Sequence, residues 1–101
     1  MKQETPIALE TNFSKELINQ QLQRIFLDPF FMNSDILRKF LLFIVEQTLL
    51  GHANWLKEYT IGVNVLNKPA GFKPQENGIV RIHAGRLFGW VQRERFERNR
   101  R

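Results

Sequence analysis

Few residues in this 101-residue chain could do chemistry, and their spacing excludes most of it. His52 and His83 are its two histidines, and neither stands at a metal-ligand spacing from a carboxylate. Zero cysteines exclude disulfides, thiolate metal sites and thiol nucleophiles. Ser14 and Ser34 each precede an apolar run and read as helix caps, and there is neither a Gly-x-Ser-x-Gly elbow nor a phosphate-cradling glycine loop. Glu58 and Glu76 have no spacing that makes them an acid–base pair. The expectation is a protein that is not an enzyme and carries no metal or other cofactor. What remains is arginine. Residues 78–101 hold seven Arg and two Glu, a local charge of +5 that equals the formal net charge of the whole chain. Such a block attracts phosphate or another polyanion, and the planar guanidinium grips two acceptors at once. Its plainest alternative is a solvated basic tail.

At 100° per residue, Ile82, Arg86, Gly89, Arg93 and Arg100 share one sector of a helix, roughly opposite a stripe of Val80, Ala84, Leu87, Phe88 and Val91. One side packs and the other is a row of Arg, an arrangement that suits the major groove of a duplex. Gly85 and Gly89 each cost that helix about 1 kcal/mol against Ala, which marks a close approach by a neighbouring helix or by a nucleic-acid backbone.

Four prolines divide the elements that must position this helix. Residues 1–12 read as a flexible arm. Ser14 is expected to cap a helix with a stripe of Leu17, Ile18, Leu22, Ile25 and Phe26, ended by Asp28-Pro29, and Phe30, Phe31 and Met32 form a buried corner. Asn33 or Ser34 caps a central helix, Asp35 to Leu50, with Gly51 at its C′ position and Arg38, Lys39, Glu46 and Gln47 on its wet side. Residues 57–66 alternate as a strand through Tyr59, Ile61, Val63 and Val65, and equally fit one face of a short helix. Asn67 to Gly78 is a loop long enough to be functional or packed on itself.

Composition sets the bounds. The size allows one domain, and 43% hydrophobic residues with nine Phe supply a core. The run Phe40–Val45 is far too short to span a bilayer, and no apolar signal region follows Met1, so a cytoplasmic protein without membrane contact is expected.

The runs Leu37-Arg38-Lys39-Phe40-Leu41-Leu42-Phe43-Ile44-Val45-Glu46, Leu56-Lys57-Glu58-Tyr59-Thr60-Ile61-Gly62-Val63 and Ile79-Val80-Arg81 with Ala84-Gly85-Arg86-Leu87 carry a resemblance. Together they look like a bacterial N-terminal module of helix-turn-helix or winged-helix type, found ahead of tetratricopeptide repeats or membrane sensor regions in regulators. The resemblance covers Ser34 through Phe96 and implies an all-α, four-helix, helix-turn-helix-like (winged-helix-related) small domain; the domain itself is expected over residues 13–97, with 98–101, beyond the last apolar anchor Phe96, as a basic tail. Thr60 to Leu66 would be the first helix of the pair and Ile79 onward the second. It also implies an ion pair between Glu58 and Arg81 that ties those helices together. This chain departs from the module after Arg86-Leu87, where Phe88-Gly89-Trp90-Val91 replaces further Arg and a Leu. The module normally precedes a larger effector region, so the chain reads as a free-standing small regulator or as one domain cut from a longer protein.

The resulting expectation is a transcriptional regulator that binds double-stranded DNA. Arg86 and Arg93 form the binding pair, His83 lies near bases or phosphates, Lys68 and Lys73 sit on flanking phosphate, and Arg98, Arg100 and Arg101 position the tail. A homodimer is expected by analogy, because two half-sites multiply a modest affinity. The rival expectation is a protein-interaction module that docks through Trp55, Phe72, Trp90 and Phe96, with the Arg-rich end on an acidic partner.

Overall fold

The computed structural model describes residues 4–99, with side chains for 14–97, and every regular element among them is helical. The chain divides into two units, Met1–Asn33 and Ser34–Arg101.

The first unit holds α1 (Glu4–Ile25) and α2 (Pro29–Met32). The long helix starts well before Ser14, which therefore lies inside it rather than capping it, and residues 4–12, expected as a flexible arm, are helical. Pro6 stands in the first turn, where its missing N–H costs no helical bond. Leu22 is buried at the centre of the expected stripe, whereas Leu17 is half exposed. The helix stops as expected. Asp28 takes an extended conformation and its Oδ1 accepts from the Phe30 N–H at 2.9 Å, with Pro29 opening α2. The corner that follows is buried only at Phe31, whose ring meets Phe30 edge-on at 4.9 Å and Phe26 at 5.6 Å; Met32 is exposed.

In the second unit Ser34 caps α3 (Asp35–Leu49), its Oγ accepting from the Leu37 N–H at 3.2 Å, and Asp35 in the first turn pairs with Arg38. Leu37 and Phe40 are buried, while Ile36, Leu42 and Leu49 are partly exposed. The helix therefore faces the core along one edge rather than all round. Gly51 adopts φ +82°, and the N–H groups of Gly51 and His52 return to the carbonyls of Thr48 and Gln47.

A 3₁₀ turn (Ala53–Trp55), with Trp55 beside Phe43, leads to α4 (Glu58–Val65). The ambiguous segment is thus a helix, with Ile61, Gly62 and Val65 buried. A thirteen-residue connection, 66–78, separates α4 from α5 (Ile79–Asn99), and α4 packs on both α3 and α5. From α5 the core takes Val80 and Leu87. Of the expected inner stripe, Ala84, Phe88 and Val91 are exposed.

Candidate nucleic-acid interface

The arrangement begins at the N-terminus of α4. Thr60 Oγ1 accepts from the Lys57 N–H at 3.0 Å, and its hydroxyl lies 2.5 Å from the Trp55 carbonyl and 2.9 Å from that of Lys57. It closes the helix start and ties it to the 3₁₀ turn. One position earlier, the Tyr59 hydroxyl reaches out and donates to the Ala70 carbonyl at 2.8 Å, fixing the middle of the connection. Two positions later, Gly62 leaves room for the Phe72 ring. A Cβ at Gly62 would stand 2.3 Å from the ring, so no larger residue fits without displacing it. Asn67 at φ +58° turns the chain, the Lys68 N–H returns to the Gly62 carbonyl at 3.0 Å, and Phe72 is buried. The connection is self-packed, not a short turn; helix-turn-helix pairs usually use three or four residues there.

Glu58 and Arg81 meet across α4 and α5, with Nη1 donating to Oε2 at 2.7 Å and, at 3.3 Å, to the Pro74 carbonyl. The guanidinium folds back over Gly78, where an added Cβ would stand 2.8 Å from Nη2. Asn77 supplies the cap that the α5 start needs, its Oδ1 accepting from the Ile79 N–H at 3.1 Å. The repulsion between a cation and a helix N-terminus is offset at Arg81 by the Glu58 carboxylate.

Beyond this clamp, Ile82, Arg86 and Arg93 are exposed, in the sector expected to oppose buried Val80 and Leu87. The outward row therefore exists as a surface, and Arg95 stands exposed on the same helix. Lys73 is exposed in the connection, and Lys68 is half-buried just after α4. His83 is half-buried; burial first, and the neighbouring Arg86 second, hold its imidazole below the usual histidine range. Arg100 and Arg101 lie outside the described residues, as does the side chain of Arg98.

The rival apolar patch is not assembled. Phe72 is buried and Trp90 half-buried, so of the four expected docking residues only Trp55, at 46%, and Phe96, at 61%, are exposed. Besides Phe96, α5 exposes Ile82, Phe88 and Val91. Among the described residues no cluster of His, Asp or Glu could hold a metal ion, and no helix is long and apolar enough to cross a membrane. The structural interactions that motif spacing did not disclose are those of Tyr59, Gly62 and Phe72, because each depends on a contact ten or eleven residues away. Compared with known proteins, the chain matches no family model, no curated protein and no solved structure.

Proposed function

We propose that the protein is a regulator that binds duplex DNA through α5, with Arg86 and Arg93 against the nucleic acid and the Glu58–Arg81 pair holding the helix in place. The observation that carries the reading is the exposed Arg86–Arg93 row on the side of α5 away from buried Val80 and Leu87. A 21-residue helix whose last core anchor comes at its ninth residue leaves a long basic rod outside the core, and such a rod suits the major groove. The local charge of +5 over 78–101 supports phosphate attraction, and the likeness of Leu56–Val63 to the regulator module supports the class. Lys73 lies on flanking phosphate in this reading, and Arg98, Arg100 and Arg101 add sequence-independent attraction. A helix-turn-helix or winged-helix arrangement and a cytoplasmic site of action belong to the same proposal.

The test is titration of mixed-sequence duplex at several salt concentrations. Affinity should fall on a log–log slope of roughly −0.9 per phosphate neutralised. Binding that ignores salt, or none at low salt, overturns the proposal. A second reading, docking of another protein on α5, is favoured by exposed Phe88 and Val91; association without duplex binding would select it.

A further inference from the structure

A cavity of about 220 Å³ lies where α3, the end of α4 and the first turns of α5 meet. Three elements each bring one cationic or proton-accepting side chain to it: Lys39 from α3, Lys68 from the turn after α4, and His83 from α5. Val65 and Ile79 contribute to an apolar floor, and no carboxylate lines it. Among the described residues neither lysine has an acidic partner; Asp35 pairs with Arg38 and Glu58 with Arg81. The left-handed turn at Asn67 and the Lys68 N–H bond to Gly62 fix the backbone that carries Lys68. His83 Nδ1 is buried and has no hydrogen-bond partner in the protein, which is uncommon for a polar atom in such a position.

We propose that this pocket binds a tetrahedral oxyanion, a phosphate group, through Lys39, Lys68 and His83. Two lysines and a histidine lining one pocket from separate elements favour a compact anion, and a cavity smaller than the roughly 300–1,000 Å³ of drug-sized ligands admits a phosphate with a few attached atoms rather than a nucleotide. Burial first, and Arg86 on the same helix second, hold the His83 imidazole below its usual range, while Lys39 and Lys68 are the charged groups that line the pocket from the elements packed against it, so a bound anion would favour the protonated ring. Binding then draws a proton onto His83 and tightens as pH falls. The phosphate has two sources, a duplex backbone or a free small phosphate. The first rests on the DNA-binding reading; the second does not.

The experiment titrates the full chain with inorganic sulfate, whose charge is constant through the histidine range, against sodium chloride at matched ionic strength, and follows the His83 imidazole by NMR. A saturating response and a raised His83 titration midpoint in sulfate alone are expected. Both should weaken at least tenfold in the Lys39→Ala, Lys68→Ala double variant, whose melting temperature confirms that it folds. An equal response in chloride, or an undiminished one in the double variant, overturns the site whether or not the protein binds DNA. The source follows from duplex titration. If the backbone phosphate occupies the pocket, sulfate displaces duplex and the double variant loses about one unit of salt slope. If duplex binding is unchanged while sulfate still binds, the site serves a free anion.

Discussion

In α4 and the connection behind it, the side chains that stand out in the sequence are engaged within the chain: Glu58 on Arg81, Tyr59 on the Ala70 carbonyl, Thr60 on the helix start, Gly62 against Phe72. In α5 past Leu87, Phe88, Val91, Arg93, Arg95 and Phe96 are exposed on the surface, and Trp90 is half-buried with its indole nitrogen shielded from solvent. A run of distinctive residues therefore means different things in the two places. The Leu56–Val63 run makes a frame, and a substitution there acts on folding. The distal half of α5 is displayed, and a substitution there acts on whatever it meets.

The most disruptive test of this contrast lies at Phe72 and Gly62. Phe72→Ala should cost about 3 kcal/mol, the low end for a buried Phe, and lower the melting temperature by more than 10 °C, at roughly 4–8 °C per kcal/mol. Gly62→Ala should cost about 1–3 kcal/mol by overpacking, and the double variant should lose less than the sum because the added methyl fills space that the ring has left. Additive losses would show that the two do not share a contact. Replacing both Arg86 and Arg93 by Ala comes next: duplex affinity should drop more than tenfold while thermal melting stays within a degree or two, and a large fall in melting would move those residues into the frame. Removing residues 98–101 should weaken binding to all duplexes alike and flatten the salt dependence by at most three units, read from gel shifts at graded salt. The smallest effect belongs to Arg81→Ala. The pair's side chains are 55% and 38% exposed, so its loss should cost under about 1 kcal/mol and leave duplex affinity nearly intact. Wild-type melting with binding abolished would put Arg81 in the groove instead.

Local rules in the sequence were enough for the Asp28-Pro29 stop, the Ser34 cap and the Gly51 terminus, because each is decided within a few residues. The start of α1 was not legible, since Ser14 is as good a cap as any and nothing in residues 4–12 announces a helix. The α5 stripe failed for a different reason. Periodicity identifies a face but not where its partner ends, and α4, with eight residues, is only about 12 Å long. It can cover about two turns of α5, a length that matches the span from buried Val80 to buried Leu87 and stops short of exposed Val91. Of the proposed interface, the Arg row was readable from angular spacing alone. The pocket of Lys39, Lys68 and His83 was not, because its members stand far apart in the chain.

The last core anchor of α5, Leu87, has a consequence for amide exchange. Residues 88–99 extend the helix by about 18 Å with no buried residue among those described, and twelve residues are at the length below which isolated helices are marginal in water. Gly89 lowers that margin further. Amides after Leu87 should therefore exchange orders of magnitude faster than those around Val80, whose opening requires the frame to unfold. Any partner that seats this rod must first meet the entropy of holding it helical, so complex formation should slow exchange most in residues 88–99 and carry an unfavourable entropy that a rigid helix would not show.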